Sequence, residues 1–325
     1  DLHLSIRRQR QMCIRDRARL AKDGVEVDFA RGYVGDVTGA YNGVTTGQNL
    51  EDKRSEAELI AEAVEKAKAA DCVILFGGLN KSDYQDCEGH DRQQYELPYA
   101  QDKLITALAA ANKNFVYVNI SGNAVAMPWR DKVPAIVQGW YLGSEAGEAL
   151  TSVLTGDANP SGKLPFTWVK SLQNVGAHAL NTYPGTWRKE GGSKTEGNII
   201  DEEYKEGIYV GYRWADREKQ RPVFAFGHGL SYTQFAISNL RADKASMTAA
   251  DSITFTVQVK NIGQRAGSET VQLYVHDAKA SVDRPLKELK GFSKVSLQPG
   301  ESKDVSITLG KDALSFYDET TASWK

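Results

Sequence analysis

Apolar positions along the chain fall into two regimes. In the first, Ile60 and Val64 recur four residues apart and alanines fill the same face through Ala70, the spacing of a helix with one buried stripe. Ser55, with Glu58 three residues later, predicts a capping box at its start. The continuous apolar run "CVILF" (72–76) suits a parallel strand covered on both faces. Pro98 is expected to open a second helix, with Leu104, Leu108 and Ala111 on one side. "FVYVNI" (115–120) and "AIVQGWY" (135–141) read as strands, and Ser144 as the cap of a third helix through Leu154. Upstream, residues 18–29 read as a helix end, a stop at Gly24 and a short strand with Val25, Val27 and Phe29 on one face. Residues 30–53 read as a glycine-rich loop. Strands alternating with helices predict an open, mostly parallel sheet with right-handed crossovers.

Residues 156–235 are irregular, with a polar stretch at 188–198 expected to form a mobile surface loop. From about 236 the period becomes two. Ile253, Phe255, Val257 and Val259 share one face, as do Val271, Leu273 and Val275, and then Val305, Ile307 and Leu309. Short alternating strands between turn signals predict a β-sandwich. The expected fold is an α/β sandwich over 18–235, a mostly parallel open sheet with flanking helices, followed by an all-β sandwich over 236–325.

Composition narrows the function classes. The chain has 325 residues, 40 Lys+Arg against 42 Asp+Glu, and a formal charge of −2. That balance gives no support for a nucleic-acid partner. No run approaches the roughly 20 apolar residues that a membrane-spanning helix needs. Cys13, Cys72 and Cys87 are too few for a disulfide framework. Residues 1–17 carry five arginines and no apolar period, and they lack the apolar stretch of a signal peptide. They resemble translated adapter sequence, and are expected to be a non-native or disordered leader that makes few contacts.

"QDCEGHDRQQYELP" (85–98) concentrates the candidate chemistry. It follows the carboxyl end of the 72–76 strand, where open α/β sheets bind their ligands. A metal site would use Cys87 and His90 with Asp86 or Asp91, yet the chain has no second Cys/His pair to complete a zinc set. A Cys87–His90 nucleophile pair is disfavoured because such partners come from distant segments. "FGGLNKS" fits neither phosphate-loop pattern. No metal and no cofactor are therefore expected. An acid/base reading centres on Glu88, whose neighbour Gly89 permits a tight turn, with Asp91 and Arg92 able to pair and stiffen the loop. A solvated, salt-bridged loop is the alternative, and the residues alone leave both open.

"DCEGHDR", "SGNAVAMPW", "IVQGWYLGSEAGEALTSVLTGDANPSGKLPFTW", "YKEGIYVGYRW", "FAFGHGLSYTQF" and "VKNIGQRAGSETVQLYV" occur in this order. Together they resemble the C-terminal half of glycoside hydrolase family 3 β-glucosidases, from about residue 18 to 325. The resemblance implies a catalytic barrel, an α/β sandwich and a fibronectin III-like domain, with the barrel absent here as a missing N-terminal partner. It implies a retaining hydrolase acting on β-glucosides or oligosaccharides. Its nucleophile is a barrel aspartate and its acid/base is Glu88, with Asp91 and Arg92 a structural pair. Tyr84, Asp91 and Arg92 are then substrate-binding or site-shaping. The sandwich's first strand and the last domain's closing strand are expected to be missing, leaving exposed edges and a poorly soluble, inactive fragment. Relatives suggest a periplasmic or secreted location. Competing expectations are a non-catalytic carbohydrate-binding or interaction module, a β-xylosidase of the same family and, more remotely, a dinucleotide-binding protein. Trp140, Tyr141 and Glu145 could line a sugar subsite, although an aromatic at a strand end is more often core. His228 fits a packed turn, Asn123 fits turn hydrogen bonding, and His178 and His276 show no partner in the sequence.

Overall fold

The computed structural model describes residues 20–21, 24–35, 40–41, 44–45, 51–82, 84–87, 91–187 and 200–325. The leader 1–17, the loop 188–198, Glu88 and His90 lie outside the described residues. Contacts divide the chain into two compact units, one of residues 1–157 with 169–172 and one of 158–168 with 173–325.

In the first unit, helix α1 (Glu56–Ala69) starts with the expected capping box. The Ser55 amide donates to Glu58 Oε2 at 2.7 Å, and the Glu58 amide to Ser55 Oγ at 3.3 Å. Its fully buried residues are Leu59, Ala63 and Ala67, while Ile60 and Val64 lie half-buried at the edge of that stripe. Strand β1 (Val73–Gly78), helix α2 (Gln101–Ala111), strands β2 (Phe115–Ile120) and β3 (Ala135–Gln138) and helix α3 (Ala146–Thr155) follow. The strands form a parallel sheet in the order β1-β2-β3, with Val73 opposite Phe115 and Val116 opposite Ala135. Val118 and Ile120 of β2 pack on Ala146 and Leu150 of α3, and Phe115 and Tyr117 on the alternate face are buried as well, the two-face coverage that the apolar runs require.

Three local expectations are corrected. Residues 25–35 form no strand, and Val25 and Phe29 are exposed; the stretch is held by side chains instead, through Lys66 on Asp28 and the Phe29 carbonyl and Arg31 on Asp52. Pro98 does not open α2. Its carbonyl instead accepts from the Gln101 side chain, and the helix is entered through Ala100 in a left-handed conformation (φ 55°). Ser144 does not cap α3; the helix begins a residue later, with Glu145 at the cap position and no side-chain cap bond.

In the second unit five strands carry the period-two pattern: β4 (Phe235–Ala242), β5 (Ser252–Asn261), β6 (Gly267–Val275), β7 (Glu288–Leu297) and β8 (Ser302–Gly310). They form antiparallel sheets β8-β5-β4 and β6-β7. Val259, Val271, Leu297 and Val305, from both sheets, make the shared core. Asn261, fully buried, accepts from Thr233 Oγ1 (2.7 Å) and the Gly263 amide (3.1 Å) and donates to the carbonyls of Arg265 and Leu297. Every polar atom of that amide is thus met, as burial demands. His228 lies in a turn whose carbonyl accepts from the Leu164 amide, and its ring stacks on Phe224.

Candidate functional site

The site begins where β1 leaves the sheet. Gly78 sits at φ +127°, and a Cβ there would lie 2.1 Å from the Ile120 carbonyl oxygen, so only glycine fits. The fully buried Gln101 clamps this glycine. Gln101 Oε1 accepts from the Gly78 amide at 2.7 Å, while Nε2 donates to the Gly78 and Pro98 carbonyls at 2.8 and 3.0 Å. Leu79 N–H donates to the Ile120 carbonyl, the last sheet bond before the loop.

Asn80 then folds the loop back on itself. Its side-chain oxygen accepts from the Ser82 amide at 2.8 Å, and its carbonyl accepts from the Asp86 amide at 3.0 Å. The Tyr99 hydroxyl accepts from both Asn80 Nδ2 and Gln85 Nε2. This local network brings Asp86 over the ends of β2 and β3. Its carboxylate accepts from the Gly122 amide (2.7 Å), Asn123 Nδ2 (2.6 Å) and the Tyr141 hydroxyl (2.7 Å).

A second network lies beneath. The Tyr117 hydroxyl donates to Asn119 Oδ1, and Asn119 Nδ2 donates to Gln138 Oε1 and Ser121 Oγ. Ser121 Oγ donates in turn to the Asn123 carbonyl. Tyr117, Asn119 and Ser121 are wholly buried. A fully satisfied buried network of this kind rigidifies the surface it supports.

Arg92 closes the far side. One guanidinium nitrogen donates to the Ala124 carbonyl at 2.6 Å, and the group lies over the Tyr95 ring. A second, Nη1, is buried and makes no hydrogen bond among the described residues. Burial pulls this guanidinium below the ordinary arginine pKa, against the pull of Asp86. Burial likewise pushes the Tyr141 phenol far above its usual range, with the Asp86 charge and hydrogen bond adding to it. Tyr141 therefore keeps its proton at neutral pH and remains a donor to Asp86.

These residues surround a polar depression of about 300 Å³, lined by Asp86, Cys87, Asp91, Arg92, Asn123 and Tyr141 among others. Of the sequence-predicted site residues, Asp91 and Arg92 face it. Tyr84 stands on the loop with φ 62°, half exposed, and is not part of the lining. Glu88 lies outside the described residues, between Cys87 and Asp91. Tyr141, expected to be core, lines the depression, whereas Glu145 is exposed at the start of α3. Trp140 is half-buried at φ 52°. His276 bonds the Leu286 carbonyl and His178 packs on Tyr183 within the second unit, so both have partners that the sequence did not reveal. Sequence reasoning weighed Asp86 only as a metal ligand. Its structural signal would have been the three donors that converge on it, which come from segments distant in the chain. Among the described residues no group of three or more His, Cys, Asp or Glu is placed to hold a metal ion. No described helix is long and apolar enough to cross a membrane.

A polar depression at the carboxyl end of a parallel sheet, beside a glycine-delimited loop, is the ligand-site arrangement of open α/β folds. Residues 17–212 match the family described as Glycosyl hydrolase family 3 C-terminal domain, and residues 269–325 match the Fibronectin type III-like domain. The chain belongs to glycosyl hydrolase family 3, and its fold is that family's α/β domain followed by a fibronectin III-like β-sandwich.

Among curated relatives, a β-glucosidase of Bacteroides ovatus is 45% identical over 310 residues, which is 93% of this chain and 39% of the relative. Thermostable β-glucosidase B of Acetivibrio thermocellus is 43% identical over 278 residues, 86% of this chain and 35% of the relative. Among solved structures, a family 3 β-glucosidase of Bifidobacterium adolescentis superposes with a TM-score of 0.77 at 35% identity, covering 94% of this chain and 40% of that one. The β-glucosidase of Kluyveromyces marxianus, solved with glucose, gives 0.73 at 38% identity, covering 84% and 31%. The chain thus spans well under half the length of these relatives.

Proposed function

We propose that this chain supplies the general acid/base and one wall of the cleft in a retaining β-glucosidase that removes terminal β-D-glucosyl residues, and that Glu88 is the acid/base. The carrying observation is that Cys87 and Asp91, the described residues flanking 88–90, both line one polar depression at the carboxyl end of the parallel sheet. The β-glucosidase relatives support the substrate class. We place the α/β domain at 18–235 and the fibronectin III-like domain at 236–325, a boundary that falls between the two family matches.

In this reading Glu88 gives its proton to the glycosidic oxygen as the C1–O bond breaks. A carboxylate nucleophile holds the sugar at C1. Glu88, now ionised, takes a proton from the water that releases the sugar. Retention requires the two carboxyls about 5 Å apart. In this reading the nucleophile lies outside this chain, so a polypeptide of these residues alone is expected to be inactive on aryl β-glucosides. Asp91 and Arg92 shape the site through their positions at its rim, and Tyr84 contributes from the exposed loop.

The test is Glu88→Gln in the complete natural polypeptide. Loss of general acid help costs about 10²–10⁴-fold on a poor leaving group such as phenol and little on dinitrophenol. Equal losses in kcat/KM on phenyl and dinitrophenyl β-glucosides would show that Glu88 is not the proton donor.

A further inference from the structure

Asp86 stands two residues before Glu88, so the two Cα atoms are at most about 7 Å apart whatever the conformation of the intervening chain. Its carboxylate joins three pieces of backbone. The loop that carries it comes from β1, Gly122 and Asn123 follow β2, and Tyr141 follows β3. Asn80 and Gln85 of the same loop bond within it and to Tyr99.

The position requires a carboxylate. Three donors converge on two oxygens, Gly122 N–H and Tyr141 O–H on Oδ2 and Asn123 Nδ2 on Oδ1. Charge-assisted bonds of this kind are shorter and stronger than neutral ones. Gly122 also matters, because a Cβ there would come within 3.3 Å of Asp86 Oδ2 and 3.1 Å of the Tyr141 ring. The buried polar network below holds the Asn123 carbonyl through Ser121, an anchor for one of the donors that does not depend on the loop.

We propose that Asp86 is the positioning residue of this site: its carboxylate, held by the Gly122 amide, the Asn123 side chain and the Tyr141 hydroxyl, sets the backbone from which Glu88 reaches the glycosidic oxygen. This rests on the reading of Glu88 as the acid/base. A group that acts by aiming the acid differs from one that only stabilises the fold. Misaiming slows those substrates that need the proton, whereas lost fold lowers the active fraction for every substrate alike.

The experiment uses the complete natural polypeptide and its variants Asp86→Ala, Tyr141→Phe and Glu88→Gln, with phenyl and dinitrophenyl β-glucosides as probes. Asp86→Ala is expected to lower kcat/KM on the phenyl glucoside about 10–100-fold, the scale of a misplacement near 1 Å. On the dinitrophenyl glucoside the loss should stay below about threefold. Tyr141→Phe removes one donor without opening a cavity and should shift the same ratio in the same direction by a smaller factor. It keeps the test decisive if Asp86→Ala does not fold. Equal losses on both probes for these variants, beside a selective loss for Glu88→Gln, would overturn the positioning role and leave Glu88 as the acid. A Glu88→Gln variant that loses equally on both probes would overturn both.

Discussion

Replacing Gln101 with methionine keeps a buried side chain of similar length while deleting its amide. Gly78 follows the alternation of a parallel strand: Leu79 bonds toward β2 through the Ile120 carbonyl, so Gly78 points its N–H and C=O the other way. β1 has a described neighbour on one side only, and Gln101 meets both Gly78 groups as a neighbouring strand would. The substitution removes three hydrogen bonds and leaves a buried donor unmet. With a net contribution of about 0.5–1.5 kcal/mol for each of the three bonds and about 1–3 kcal/mol for the orphaned buried group, the expected loss is about 2.5–7.5 kcal/mol. For a unit of this size, at about 2–4 °C per kcal/mol, that is a fall of at least about 5 °C in melting temperature. The fall is readable by tryptophan fluorescence, because Trp129 is buried in the same unit. A fall below about 2 °C would refute the reasoning, since it would mean that the clamp contributes no more than a surface contact.

The capping box gives a pH test. Hydrogen bonds from the Ser55 amide and then its hydroxyl hold Glu58 below its ordinary 4.5. A depressed carboxyl contributes stability that is complete above its unfolded value and is lost as pH falls through its folded value. Ser55→Ala should therefore lower the melting temperature by about 2–4 °C at neutral pH and shrink that difference below pH 4; a constant difference from pH 7 to 3 would contradict it. Tyr117→Phe removes the hydroxyl that donates to Asn119 Oδ1 and should cost about 1–2 kcal/mol in urea unfolding, with no change expected if the amide finds another donor.

The strands and helices that place the site were legible because their signals are local. The apolar runs at 72–76 and 115–120, Ser55 with Glu58, and the alternation at 252–261 each needed only a few adjacent residues. β7 was harder to read. Gly291 interrupts its alternation, Phe292 points outward at 70% exposure, and the paired strand β6 shifts register between Leu273 and Tyr274. The candidate site was legible as a loop and not as a network. Nothing adjacent to Asp86 in the chain announces Gly122, Asn123 and Tyr141, which the parallel crossovers bring to it. Tyr141 looked like core because an aromatic at a strand end is normally packed. Its ring is half-buried, but the hydroxyl serves the loop.

The proposed acid/base role of Glu88 in a retaining hydrolysis can be probed by trapping with azide. With Glu88 replaced by glycine in the complete natural polypeptide, the glucosyl intermediate formed from dinitrophenyl β-glucoside lacks the base that activates water. Azide is a nucleophile that needs no such base, and it attacks C1 as the bond to the enzyme carboxylate breaks. Turnover should rise with azide concentration and the product should be β-glucosyl azide, identified by nuclear magnetic resonance. Glucose as the sole product, at a rate that azide does not change, would contradict the assignment of Glu88.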